Sequence, residues 1–201
     1  MGDQEMTNRV WALTAMTYTL TNLPKGPGNR PLDFVREALR EARDDSSIPG
    51  WVKSVHGGPV IDSAKKGLDK NTQAVYCTAE VKKYTEPIME GVIDDSKIRR
   101  AAAYALSYGC GNCGEHAVIA FTFLMDHGVK PLDFMELFDN RPRHNFVVIG
   151  REVDSEPAKY GTWGENAVVC DPWDRNVYPA REYPVKTPFA NCKIISMYRY
   201  G

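Results

Sequence analysis

No apolar run in the 201-residue chain approaches the ~20 residues that a membrane-spanning helix needs; the longest, Ala117 to Met125, contains Thr122. The N-terminal "MGDQEMTNRVWALTAM" has no basic segment leading into an apolar one, so neither a cleaved signal nor an anchor is expected. Neither sign of charge is in excess: 25 Lys and Arg stand against 26 Asp and Glu, for a net charge of -1. That balance gives no long-range pull toward nucleic acid or an anionic membrane. Cysteine is scarce and odd in number. Cys77, Cys110, Cys113, Cys170 and Cys192 are poor material for a disulfide scaffold and fit a reducing compartment with one special thiol. There is no internal repeat, since "RPLDF" at 30–34 and "KPLDF" at 130–134 sit in different patterns.

What is present is the composition of a folded domain. Apolar residues make up 43% and charged residues 25%, and the length suits a single domain with one sizeable core. Residues 6–21 carry Val10, Leu13, Met16 and Leu20 at helical spacing. Pro31 then precedes a second amphipathic helix with Leu32, Val35 and Leu39 on one face. Asp45 to Pro59 is expected to be loop, 72–91 helix, and 96–108 a further helix capped by Asp95 or Ser96. After Gly128 the character changes. "LDFMELF", "NFVVIG" and "NAVVCD" are short apolar or alternating runs bounded by Asn, Pro and Gly, which predicts strands. Helices followed by strands predict an α+β fold: a helical part over 1–108, then a central buried helix on a small antiparallel sheet over 109–201.

The junction, "YGCGNCGEHAVIAFTFLMDHG", carries the chemistry. Asn112 followed by Glu115 predicts a capping box, with Gly128 as the stop, so Cys113 is the first helical residue. A thiolate there faces the positive end of the helix dipole and the unpaired first-turn amides, which favour the anion and can receive an oxyanion. Gly109, Gly111 and Gly114 allow a tight turn and clear space for a substrate carbonyl. Cys110 falls in the loop before the cap, without the dipole argument, as a loop thiol and a candidate redox partner of Cys113.

A thiol nucleophile needs a base and a group to orient that base. His144 opens a strand and Asp171 closes another. If the two strands pair antiparallel with Ile149 opposite Asn166, His144 falls opposite Asp171, with Cβ atoms roughly 5 Å apart. Trp173 could then shield the pair. His116, one turn along from Cys113, is a second candidate base, although a packed histidine is the simpler reading. Asp174 and Asn145 are substitutes for the orienting group, and Asp171 could be a turn former before Pro172. Cys110, Cys113 and His116 also form a C-x-x-C-x-x-H cluster, which keeps a zinc or redox module open as a second function. A catalytically silent binding domain is the third.

A glycine-rich turn, a cysteine heading a buried helix, a histidine opening one strand and an aspartate closing the next, in "GNCGEHA…RHNFVVIG…VVCDPW", resemble the papain-like and transglutaminase-like cysteine hydrolases. The likeness covers about residues 105–175 and is greatest to the compact bacterial members, the YopT-like cysteine protease effectors and related toxin and deamidase domains. It implies Cys113 as nucleophile, His144 as general base and Asp171 as orienter, with no metal or cofactor. It also implies a protein or peptide substrate, attacked at an amide carbonyl through a thioester. Protease, Gln/Asn deamidase and transglutaminase chemistry all follow from that scheme. A cytoplasmic protein, or an effector exported without a cleaved signal peptide, is the implied location. No Trp or Tyr follows Cys113 and no Gln stands shortly upstream, so Asn112, Ser107 or a backbone N–H is the candidate oxyanion donor.

Overall fold

A computed structural model describes residues 2–30, 36, 38, 40, 58–138, 143–187 and 192–201. Apart from Arg36, Ala38 and Arg40, which are helical, the predicted helix over 31–45 lies outside the described residues, as does most of the predicted loop over 45–59, His56 included. Ten elements matter here: helices α1 (Asp3–Asn22), α2 (Gly58–Ile88), α3 (Asp95–Tyr108), α4 (Cys113–Asp126) and α5 (Tyr183–Lys186), and strands β1 (Leu132–Phe138), β2 (His144–Ile149), β3 (Val168–Asp171), β4 (Asn176–Pro179) and β5 (Lys193–Tyr200). The strands form one antiparallel sheet in the order β4-β3-β2-β1-β5. The α+β expectation holds at this level: the four N-terminal helices pack against a five-stranded antiparallel sheet. Gly58 and Pro59 belong to α2 and not to a loop, so this helix starts well ahead of the expected residue 72. Among the described residues, no helix is long and apolar enough to cross a membrane.

Strands β1 to β3 alternate, so each sends one set of side chains to each face, while the β1–β5 pairing shifts register between Phe134 and Met135. Phe134, Val147, Ile149, Val168 and Cys170 meet Val118, Phe121 and Leu124 of α4 and Ala12 and Ala15 of α1 in the larger core. Met135, Phe146, Val148 and Val169 turn to the other face, where Trp163, Tyr178 and Tyr183 cover them. The sheet is therefore buried on both sides.

The first helix forms where its spacing predicts, but in a different rotational phase. Val10 and Leu13 are exposed, and the buried face is Glu5, Asn8, Ala12, Ala15 and Thr19. Small residues on that face let the α1 backbone come close to β3, where Cys170 Sγ lies 3.3 Å from the Ala12 carbonyl oxygen. The polar members have partners: Asn8 Nδ2 donates to Asn166 O (2.8 Å), and the buried Glu5 holds Arg181 in a two-pronged pair of 2.8 and 3.2 Å. The hydrogen bond from Arg181 holds the Glu5 carboxyl below its ordinary value. At the next helix the side chain of Asp94 caps α3 by accepting from Lys97 N (2.9 Å); Asp95 and Ser96 are the first two helical residues instead.

At the sheet end remote from Cys113, Asp133 is fully buried between two guanidinium groups, Arg151 (2.7 Å) and Arg199 (2.8 Å). Ser196 Oγ adds a third donor at 3.1 Å, and Arg199 also donates to Arg151 O. The network joins β1, β5 and the chain after β2. Removing its only carboxylate strands a buried Arg151, so Asp133→Ala is expected to lower unfolding free energy by about 3–5 kcal/mol, read from urea denaturation.

Cysteine pairing departs from the sequence reading. Cys77, in the middle of α2, and Cys110, just before α4, form a disulfide across 33 positions, so Cys110 is neither a free loop thiol nor the partner of Cys113. Nothing local links these two residues; only the docking of α2 on α3 brings them together. The bridge closes a long loop, and Cys77→Ser is expected to cost about 3–4 kcal/mol of stability on the loop-entropy relation. Peptide mapping of unreduced protein should recover the Cys77–Cys110 crosslink and leave Cys113, Cys170 and Cys192 free.

Candidate active site

The turn into α4 is built from four successive constraints. Gly109 ends α3 in the left-handed region with φ 69°, and its N–H returns to Ala105 O. Cys110 is anchored to α2 by the disulfide. Gly111 has φ 159°, and a Cβ there would lie 2.2 Å from Glu115 Cβ, so no side chain fits. Asn112 is the extended N-cap; its backbone N–H donates to Glu115 Oε2 at 2.8 Å, the return half of the predicted capping box. Asn112 Oδ1 takes the capping-box position over the Glu115 amide without reaching full hydrogen-bond geometry. The buried Glu115 uses its other oxygen to accept from Thr85 Oγ1 of α2 (2.6 Å).

Cys113 is thus the first residue of α4, half-buried, with Sγ donating to Arg143 O at 3.5 Å. That carbonyl belongs to the residue before β2. The next residue is His144, whose Nε2 lies 2.5 Å from Asp171 Oδ2. The Cys113 side chain also acts on this imidazole, favouring its charged form. With Nε2 at Asp171, it is Nδ1 that a bond to the thiol would use. Both members of the His–Asp pair are buried.

The pairing that brings His144 to Asp171 differs from the expected one by two positions. Ile149 stands opposite Val168 and Val147 opposite Cys170, so the expected Ile149–Asn166 register is not formed. Continued one step, this register places Asp171 beside Phe146 and diagonal to His144. A slip of two keeps every side chain on its own face, and diagonal neighbours remain within reach of an imidazole and a carboxylate. A slip of one would have separated them.

Asp171 is itself held, its Oδ1 accepting from the backbone N–H of Asp174 at 3.1 Å. Asp174, a substitute orienter in the sequence reading, therefore supports Asp171 through its backbone. The Trp173 ring lies 5.1 Å from the His144 ring and closes one side of the pair. Arg30 stacks over the Trp173 ring, 4.7 Å from its centroid, and donates to Trp173 O at 2.5 Å. Trp173 Nε1 donates to Asn29 Oδ1 at 3.0 Å. Sequence reasoning did not foresee Asn29 and Arg30, which stand 144 and 143 positions from their partners.

Burial alone would discharge His144. Its hydrogen bond to Asp171 and the neighbouring Cys113 and Asp171 side chains outweigh that cost and push the imidazole up to about 10, from an ordinary 6.5. His116 is the opposite case. It is buried in α4 with Nδ1 2.7 Å from Asn112 O, and burial brings it down to about 4, so it is neutral near pH 7. Its ring is spent on the turn and not on Cys113.

A cleft of about 470 Å³ opens on Cys113, between α2, the mouth of α4 and the ends of β1 and β2. Asn112, Gly114, Glu136, Arg143 and Asn145 share its wall. Of the two named oxyanion candidates, Asn112 lines the cleft, but its backbone N–H is engaged by Glu115. Ser107 is on the exposed end of α3, where its Oγ donates to Tyr104 O at 2.8 Å, and it does not line the cleft. The N–H groups of Cys113 and Gly114 are first-turn amides with no acceptor in the helix. The C-x-x-C-x-x-H cluster does not converge: Cys110 is in a disulfide and His116 faces a carbonyl. Among the described residues no group of three or more His, Cys, Asp or Glu could hold a metal ion.

In comparisons with known proteins, no family model, no curated protein and no solved structure matches the chain.

The His144 shift has a checkable sign. A folded-state value above the unfolded one adds stability that is complete below about 6.5 and is lost as pH rises toward about 10. The imidazole resonances of His144 are expected to stay in the charged form through neutral pH in an NMR titration. In Asp171→Asn they should titrate at distinctly lower pH.

Proposed function

We propose that the chain is a cysteine-dependent hydrolase that attacks an amide carbonyl of a protein or peptide, with Cys113 as nucleophile, His144 as general base and Asp171 as its orienter. The observation that carries this reading is the His144 ring, bonded to Asp171, at the start of the strand whose preceding carbonyl, Arg143 O, lies 3.5 Å from a half-buried thiol at a helix N-terminus. A charged imidazole beside that thiol favours the thiolate form of the pair, and the cleft gives a carbonyl access to it.

The chemistry follows from those positions. The Cys113 sulfur forms a bond to the carbonyl carbon and the carbonyl electron pair moves onto oxygen, toward the N–H groups at the mouth of α4. Collapse expels the amine or ammonia, which takes its proton from His144, and leaves a thioester on Cys113. His144, now neutral, accepts a proton from water as that water attacks the thioester. The acid leaves as the Cys113 thiolate is expelled, and the thiolate–imidazolium pair is restored. Asp171 fixes the ring so that Nδ1 faces sulfur throughout.

Support also comes from the likeness of "GNCGEHA…RHNFVVIG…VVCDPW" to papain-like and transglutaminase-like effector and toxin domains. A zinc module is disfavoured because Cys110 and His116, two of its three ligands, are otherwise engaged.

The test is to incubate the protein and Cys113→Ala with cell lysate and map new chain termini, Gln or Asn deamidation and amine incorporation by mass spectrometry. One of these products should appear with the native chain alone. Where it does, His144→Ala and Asp171→Asn should slow it by about 10²–10⁴-fold. Equal products from Cys113→Ala would refute the proposal, as would iodoacetamide labelling of Cys113 no faster than that of the half-buried Cys192.

A further inference from the structure

Asn145 follows His144 on β2 and points to the opposite face, toward the mouth of α4. It lines the cleft with Cys113 and Gly114. The orientation of its carboxamide is set by its neighbours. Nδ2 donates to Met135 O (3.3 Å) and to Glu136 Oε2 (3.4 Å), and both of these groups can only accept. Turning the amide over would set its oxygen against a carbonyl and a carboxylate. The nitrogen is therefore held on β1 and Oδ1 is held on the α4 side.

What Oδ1 faces is a gap. A Cβ added to Gly114, the residue after the thiol, would stand 3.6 Å from it, in ordinary contact. Glycine leaves that space open, and among the described residues no donor fills it. Thus an acceptor of fixed direction looks across an empty position beside Cys113, while the first-turn amides beside it are donors. A carbonyl oxygen suits those amides and an N–H suits Asn145 Oδ1.

We propose that Asn145 is a specificity-determining acceptor for the N–H of the attacked amide, so that the cleft selects primary and secondary amides over tertiary amides and esters. This rests on the nucleophilic role of Cys113 given above. Glu136 acts through Asn145 as the positioning residue that fixes its direction.

The test compares two alkylating agents that differ by that N–H, iodoacetamide and N,N-dimethyl-2-iodoacetamide. In both, the Cys113 sulfur bonds the methylene carbon, iodide leaves with its electron pair and any thiol proton passes to His144. Rates at Cys113 are divided by those of glutathione with the same reagent. The native chain is expected to favour iodoacetamide by about five- to tenfold, the worth of one hydrogen bond. Asn145→Ala should bring the ratio to about one while the dimethyl reagent still labels Cys113. Glu136→Gln, which supplies a donor and so permits the amide to turn, should lower the ratio part of the way. A ratio near one in the native chain, or an unchanged ratio in Asn145→Ala, overturns the inference and leaves the nucleophile standing. If Asn145→Ala does not fold, an unchanged ratio in Glu136→Gln overturns it. Labelling of Cys113 no faster than that of Cys192 with either reagent overturns the nucleophile and this inference together.

Discussion

The buried carboxylate of Glu115 is the constraint on which the rest of the site depends. One oxygen receives the Asn112 N–H and fixes where α4 begins; the other receives Thr85 and fixes where α2 lies against it. A charged group taken out of water has to be given donors or it destabilises the fold, so both contacts are requirements of the same burial. Gly111 is needed because Glu115 occupies the space that a side chain would fill. The Cys77–Cys110 bridge fastens the same turn to the same helix. Cys113 is held at the helix mouth by all of these, none of which touches its sulfur.

The sheet supplies the other half. His144 and Asp171 come from adjacent strands, and the hydrophobic alternation that buries both faces of the sheet also fixes which side each of them takes. Strand pairing can slip by two without loss because side-chain direction repeats every two residues. The turn after β3 then completes the pair, since Asp174 N–H holds the second oxygen of Asp171 and Trp173 covers the imidazole. Arg30 and Asn29, from the loop after α1, lock Trp173 in turn. A chain of contacts thus runs from the N-terminal helix to the imidazole.

Much of this was legible because it is local. A capping box spans four residues, a strand shows its alternation over six, and a helix its period over a dozen; each is recorded in consecutive letters. The α4 boundary at Cys113, the α3 span and strands β1 to β3 were readable for that reason. The phase of α1 was not. Its apolar stripe and its small-residue stripe both have helical period, and only the closeness of β3 decides that Ala12 and Ala15 turn inward. The Asp133 network was equally hidden, because a lone Asp in a strand looks the same whether it meets water or two arginines.

By itself, then, the sequence determined that α1, α3 and α4 are helices and β1 to β3 strands, that Cys113 heads a helix, and that a histidine and an aspartate end up on one face of neighbouring strands; β4, β5 and the start of α2 were not read from it. The features that were read depend on periodicity, capping and alternation, all short-range. Tertiary structure alone decided the two-residue register, the union of Cys77 with Cys110, the burial of His116 away from the thiol and the exclusion of Ser107 from the cleft. Each of those is a choice between partners far apart in the chain, and it is settled by which faces are buried together when the helices close over the sheet.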